Sequence, residues 1–109
     1  MKGKEFEDMA CLWLLERGYT ILKRNHRCKR GEIDIIARKL DKIIAFEIKG
    51  NHTDLYGLPE ERIDNRKLER IKRCLTEYAI SNNINLENLQ IDAIVIYKDN
   101  ISHIENVWV

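Results

Sequence analysis

The chain has 109 residues, of which 44% are hydrophobic and 34% are charged, and its net charge is +1. These proportions exclude a disordered chain and an overall polycation, and the length favours one domain over residues 1–109. No apolar stretch approaches the ~20 residues that a membrane-spanning helix needs. The composition therefore indicates a globular protein that does not bind membranes.

The cysteines and histidines of the sequence are few and scattered. Three cysteines at wide spacing, Cys11, Cys28 and Cys74, favour unpaired thiols over a disulfide framework or a zinc site. Unpaired thiols suit a reducing compartment, and acidic residues near the start do not suit a secretory signal. We therefore expect a cytoplasmic protein, and we interpret the histidines, His103 among them, as surface or loop residues.

The first half of the chain predicts one helix and three strands. Residues 4–17 carry an amphipathic helical pattern that ends at Gly18. Residues 19–27 are β-prone, and the isoleucine-rich segments 32–38 and 43–49 predict a hairpin around a polar loop of four residues.

The second half predicts a helix and two further strands. A polar loop over residues 50–58 precedes a helix that begins near Pro59 and ends near Asn82. Residues 89–97 and 101–108 predict strands. The resulting order, α-β-β-β-α-β-β, predicts an α/β protein with a central mixed sheet of about five strands flanked by helices.

The hairpin brings two carboxylates together if its apolar faces are matched. Side chains alternate between the faces of a strand, which places Ile33 with Ile35 on one face of the first strand. Matching this face to the apolar face of the second strand sets Asp34 directly opposite Glu47, with Ile33 opposite Ile48. A slip by one residue would mix apolar and charged faces and is disfavoured.

Two carboxylates in such a position repel each other unless a cation lies between them. Opposed residues have Cβ atoms ~4.5–5.5 Å apart. Two like charges about 4 Å apart repel each other by about 4 kcal/mol at an effective dielectric of about 20. Mg²⁺ binds carboxylates together with substrate phosphates, so we predict a metal site at Asp34 and Glu47. Lys49 points to the same side, and Glu7 on the inward stripe of the first helix is a further candidate ligand or base. The alternative is that Glu47 pairs with Lys49 or Lys42 on a solvated face.

Basic residues are concentrated in two stretches, with five between positions 23 and 30 and six between positions 62 and 73. Such clusters are typical either of a phosphate-binding face or of solvated surfaces. On the first interpretation, the nucleic-acid contacts would come from Arg24, Arg27, Lys29, Arg30, Arg66, Lys67 and Arg70.

The motif Gly-Glu-Ile-Asp-Ile-Ile-Ala at residues 31–37, followed by Phe-Glu-Ile-Lys at 46–49, resembles the YraN-like family of small bacterial proteins. That family is similar to the restriction-endonuclease-like, or PD-(D/E)XK, nucleases and to archaeal Holliday-junction resolvases. Weaker matches are Glu7 in the first helix, Lys67, and Asp92 in a late strand. The chain departs from the YraN-like pattern at Phe6 and Asn51, where glycine and arginine are usual, and Ile33 replaces the proline that precedes the aspartate in the nuclease superfamily.

The resemblance implies a site and a chemistry. Asp34 and Glu47 would bind Mg²⁺, for which Mn²⁺ can substitute, and the backbone carbonyl of Ile48 would be a third ligand. Lys49 would be the catalytic lysine, and Glu7 would match the first-helix glutamate of the family. A homodimer presenting two sites would be needed for resolvase-like action.

Three functions are compatible with the sequence. The leading hypothesis is a Mg²⁺-dependent endonuclease acting on DNA in repair or recombination, with branched or damaged DNA as candidate substrates. The alternative is a non-catalytic nucleic-acid-binding accessory protein that keeps the nuclease fold and binds in a salt-sensitive way. A third interpretation, a protein-interaction module, depends on exposure of Trp13 or Trp108.

Overall fold

The computed structural model describes residues 2–51 and 65–107. It contains the predicted elements in the predicted order, and their bounds are α1 Lys2–Glu16, β1 Thr20–Cys28, β2 Gly31–Lys39, β3 Lys42–Asn51, α2 Asn65–Ser81, β4 Leu89–Tyr97 and β5 Asn100–Ile104. A short 3₁₀ helix, Leu86–Asn88, precedes β4. Gly50 and Asn51 extend β3 instead of opening a loop, and the rest of the predicted loop and the predicted helix start at Pro59 lie outside the described residues. None of the described helices is long and apolar enough to span a bilayer.

The five strands form one sheet in the order β1-β2-β3-β4-β5. β3 and β4 run parallel, whereas the other neighbouring pairs are antiparallel. This is the mixed sheet that the sequence predicts. A parallel pair requires a crossover connection, and the segment between β3 and β4 that contains α2 provides it.

The register of the β2–β3 hairpin is the predicted one over its regular part. Arg38 pairs with Ile43, and Ile35 pairs with Phe46. Lys39 also pairs with Lys42, so the turn has two residues instead of the predicted four. Within the described residues the regular pairing ends at Ile35, before Asp34 and Glu47 are reached.

The strict alternation that the sequence predicts for β2 is broken at Asp34. Ile35 packs on the α1 side of the sheet, whereas Ile33 and Ile36 both pack on the α2 side. The predicted placement of Ile33 beside Ile35 is therefore wrong, and the predicted Ile33–Ile48 pair is not formed. The physical reason is local, because the Asp34 side chain takes a hydrogen bond from the β3 backbone where β2 leaves the ladder.

Two apolar layers hold the helices on the sheet. The α1 layer centres on the buried residues Phe6, Ala10, Leu14, Ile35, Phe46 and Ile94. The α2 layer centres on Ile36, Ala45, Leu68, Ile71, Leu75 and Ile91. Both helices thus cover the central strands, including those that carry Asp34 and Glu47.

The cysteines depart from the sequence prediction. Cys28 at the end of β1 and Cys74 in α2 form a disulfide, with Cα atoms 5.6 Å apart, and Cys11 alone is free among the described cysteines. The prediction of three unpaired thiols is therefore wrong. The two cysteines are separated by 46 positions in the chain, and only the packing of α2 against the sheet brings them together.

Candidate metal centre

Asp34 and Glu47 lie next to each other where β2 and β3 separate. Oδ2 of Asp34 accepts a hydrogen bond from the backbone N–H of Ile48 at 2.9 Å. Burial raises the pKa of Asp34 to about 7, and a hydrogen bond with Glu47 and the charge of Glu47 add to the shift. The two carboxylates are thus close together, as the matched faces of the hairpin predict.

Glu47 is the more deeply buried of the two carboxylates, with 3% of the residue exposed. Lys67 of α2 places its Nζ atom 3.0 Å from Oε2 of Glu47. That oxygen nevertheless accepts no hydrogen bond from any residue in the described part of the chain. Lys67 therefore offsets the charge of Glu47 across an ion pair, although it does not meet hydrogen-bond geometry toward this oxygen.

Two lysines face the carboxylate pair. Burial and contact with Lys67 lower the pKa of Lys49, against the opposing charges of Glu47 and Asp34. Burial also acts to lower the pKa of Lys67, but its contacts with Lys49 and Glu47 outweigh that effect and raise it. The site thus holds a firmly charged Lys67 and a Lys49 whose proton is easier to remove.

The position of Lys67 differs from the role that the basic cluster predicts. Its position in the basic cluster predicts a surface contact to phosphate, whereas the structure places it against the buried Glu47. Its place four residues before the buried Ile71 is the signal for an inward position on α2. The solvated Glu47–Lys49 or Glu47–Lys42 pair, considered as an alternative, is not what the structure shows.

Glu7 reaches the same region from α1. Glu7 and Asp34 both line a cleft of about 700 Å³. Oε1 of Glu7 accepts hydrogen bonds from Arg24 Nη2 at 3.2 Å and from Asn25 Nδ2 at 2.9 Å. Glu7 is therefore in the predicted pocket, where it holds two residues of β1 in place.

The remaining predicted nucleic-acid contacts are divided between two surfaces. Arg24 and Arg27 line the cleft of Asp34, and each forms an ion pair, with Glu7 and Asp8 or with Glu32. Lys29 and Arg30 lie instead in a separate cleft beside α2. Arg66 and Arg70 are exposed on α2.

The donor set fits a hard divalent cation. It combines two close carboxylates, whose proximity and burial raise the pKa of Asp34, with a buried carboxylate oxygen that lacks a hydrogen-bond donor among the described residues. Mg²⁺ and Mn²⁺ prefer oxygen ligands of this kind. The carbonyl of Ile48 as a third ligand stays a prediction.

The sequence predicts no role for a second buried polar cluster, which lies around Asp92. Asp92 in β4 is fully buried, and its Oδ1 accepts hydrogen bonds from Gln90 Nε2 at 2.8 Å and from the backbone of Asn106 at 2.9 Å. Its Oδ2 lies 2.7 Å from Nε2 of His103. The interpretation of His103 as a surface residue is wrong, and an aspartate within the apolar run of β4 was the signal for this pair.

Trp13 bears on the third interpretation of the sequence. Its ring packs edge-on against His103, and the Arg17 guanidinium lies 3.8 Å from its centre. These contacts within the protein account for its partial burial. Trp108 lies outside the described residues.

Comparison with known proteins identifies the family. The pattern of the uncharacterised protein family UPF0102 matches residues 6–96, and the chain belongs to this family. A UPF0102 protein of Persephonella marina is 40% identical over 99% of this chain and 93% of its own length. A Thermotoga maritima relative is 36% identical over 99% and 97%, and one from Campylobacter jejuni is 45% identical over 93% and 88%.

Proposed function

We propose that this member of UPF0102 is a metal-dependent endonuclease that hydrolyses phosphodiester bonds in DNA. The observation that carries the proposal is the buried Glu47 beside Asp34, with one oxygen that accepts no hydrogen bond from a described residue. Placing two carboxylates together in a partly buried site costs stability without a cation. Such a pair is typical of a site built for binding.

Different residues of the site would have different roles in this reaction. Asp34 and Glu47 would hold Mg²⁺ or Mn²⁺, with the carbonyl of Ile48 as a third ligand. When bound, the ion supplies an electrophile that activates water and stabilises charge on the phosphate oxygens. Lys49, with its lowered pKa, would orient the attacking water or stabilise charge that develops at phosphorus.

Lys67 and Glu7 support the site in this proposal. Lys67 places its ammonium 3.0 Å from Oε2 of Glu47 and offsets the charge of that carboxylate. Glu7 anchors Arg24 and Asn25 on the wall of the cleft. Arg24 and Arg27 would then meet the phosphate backbone at the rim.

Cleavage assays test the proposal directly. Linear and branched DNA are incubated with the protein and Mn²⁺ or Mg²⁺, and product is followed by gel electrophoresis. Lys49→Ala and Asp34→Asn should each reduce the rate by about 10²-fold or more, the magnitude typical for loss of one transition-state contact. Lys42→Ala, at the other end of β3, is the matched control and should cleave as the wild type does. Equal cleavage by wild type and Lys49→Ala would identify a contaminating nuclease.

A second candidate function is a nucleic-acid-binding accessory protein without catalysis. It is favoured by the engagement of Glu7 with Arg24 and Asn25, which leaves less of this carboxylate to position a water. Salt-sensitive DNA binding without metal-dependent cleavage of any substrate would support it. Sedimentation of the protein with and without DNA would test the homodimer that two-site cleavage needs.

A further inference from the structure

A second cleft lies beside α2, away from the lining of the Asp34 cleft. It has a volume of about 640 Å³, and its walls include Lys29 and Arg30 from the β1–β2 turn and Lys72 and Arg73 from α2. Two acidic residues, Glu69 and Glu77, also line it. The four basic and two acidic side chains leave the cleft with an excess of positive charge.

The disulfide fixes the two basic walls relative to each other. Cys28 directly precedes Lys29 and Arg30, and Cys74 directly follows Lys72 and Arg73. The bond between them therefore links the two backbone segments that carry the basic pairs. The start of β2 also lies close to α2, since a Cβ atom added at Gly31 would be 3.4 Å from Cβ of Arg70.

Several of these cations are not neutralised within the described protein. Lys29, Arg30 and Arg73 form no ion pair with a carboxylate in residues 2–51 and 65–107. All three are exposed. Arg24 and Arg27 differ, because acidic side chains already engage them. The second cleft thus brings together three exposed cations that are available to a partner.

We propose that this cleft is a phosphate-binding surface that grips nucleic-acid backbone outside the candidate catalytic cleft. The identification of the polyanion as nucleic acid rests on the proposed function. Arginines on a rigid frame bind phosphate in a bidentate geometry, and the disulfide supplies such a frame here. Lys72 and Arg73 thereby join Lys29 and Arg30 as backbone contacts.

Salt-dependent DNA binding tests the proposal. Affinity for a fluorescent linear duplex is measured in EDTA and without reductant, from about 50 to 200 mM salt. The double variant Arg30→Gln with Arg73→Gln should bind about tenfold more weakly at the lowest salt. Its slope of log affinity against log salt should be shallower by about 2, because each phosphate contact contributes about 0.9. Arg38→Gln with Lys42→Gln removes the same charge near the β2–β3 turn and should change neither quantity.

The outcomes separate this proposal from the proposed function. Loss of affinity and slope in the Arg30/Arg73 variant supports the cleft even if no metal-dependent cleavage is found for the wild type. Unchanged affinity and slope would overturn it even if the wild type cleaves DNA. A polyglutamate competitor that displaces DNA at equal charge concentration would also overturn it, because the surface would then prefer acidic protein. An equal loss of affinity and slope in the Arg38/Lys42 control would show that the effect comes from net charge alone, and this result would also overturn the proposal.

Discussion

The backbone N–H of Ile48 donates its hydrogen bond to Oδ2 of Asp34, at 2.9 Å, where a strand carbonyl would normally accept it. The regular β2–β3 pairing ends at Ile35 and Phe46, directly before this contact. One hydrogen bond thus replaces the ladder and ties Asp34 to the residue that follows Glu47. The separation of the two strands opens the space that the carboxylates share.

Asp34→Asn should stabilise the metal-free protein at about pH 8 and change its free energy of unfolding little at about pH 3.5. Burial and Glu47 raise the pKa of Asp34 from 3.8 to about 7. Unfolded chains lose this proton near the lower value, whereas the folded protein keeps it up to the higher one. The folded state therefore binds more protons in this window, and the free energy of unfolding falls as pH rises through it.

The size of this effect follows from the shift. At ~1.4 kcal/mol per pKa unit, the penalty above about pH 7 reaches at most about 4 kcal/mol. Asparagine cannot ionise, so the fall should be absent from the variant. Urea unfolding of both proteins at a series of pH values measures the difference, and parallel curves would show that Asp34 ionises normally in the folded state.

Mn²⁺ should raise the melting temperature of the wild type, and more at about pH 8 than at about pH 5.5. The ion binds the native site, and its ligands must be deprotonated. When the free Mn²⁺ concentration is a hundred times the dissociation constant, the free energy of unfolding rises by about 2.7 kcal/mol. Asp34→Asn and Glu47→Gln should each abolish most of this shift in differential scanning fluorimetry.

Glu105→Gln is the matched control for metal binding. Glu105 lies with Asp92 and His103 in the other group of ligand atoms that can approach a cation, all within 4.8 Å of one another. Its loss should leave the Mn²⁺ shift intact. If the shift disappears in Glu105→Gln and persists in Asp34→Asn, the ion binds at the Asp92 cluster instead.

The sequence predicts the pairing of the two strands that carry the site, because the apolar faces of β2 and β3 match in one register. Placing Ile35 opposite Phe46 requires only that isoleucine-rich faces coincide, and this brings Asp34 near Glu47. Element types are equally accessible, since β4 and α2 have clear periodicity. The break in strand pairing at Asp34 cannot be predicted in this way, because it depends on a side chain that competes with the backbone for one N–H group.

Contacts between distant segments explain what sequence reasoning misses. The disulfide joins Cys28 to Cys74 only after α2 packs on the sheet. Lys67 becomes a partner of Glu47 for the same reason. Spacing along the chain carries no information on such pairs.

Reduction of the disulfide should lower the free energy of unfolding by about 4 kcal/mol. The bond closes a loop between residues separated by 46 positions, and the chain-entropy relation gives this magnitude for such a loop. Urea unfolding with and without a phosphine reductant measures it. Cys28→Ala with Cys74→Ala should show no response to the reductant. If the oxidised wild type has three titratable thiols after denaturation, the bond does not form and the expected difference vanishes.

Gly50→Ala should destabilise the protein by about 1–3 kcal/mol, the usual cost of overpacking a core. A Cβ atom at position 50 would overlap Cγ and Cδ2 of the Phe6 ring. Phe6 is buried, with 5% of the residue exposed, so the base of its ring has little room to move. Phe6 directly precedes Glu7, and Gly50 directly follows Lys49, so this contact fixes the segments of α1 and β3 that carry Glu7 and Lys49 relative to each other.

A double-mutant cycle isolates the contact. Phe6→Ala alone should cost about 3–5 kcal/mol, as is typical for a buried phenylalanine. Because the alanine at position 6 removes the overlap, the double variant Phe6→Ala with Gly50→Ala should be more stable than the sum of the single effects by about 0.5–3 kcal/mol. Urea unfolding of the four proteins gives this coupling energy. Strict additivity would mean that the ring can leave Gly50 freely, and that the ends of α1 and β3 are not fixed to each other by this pair.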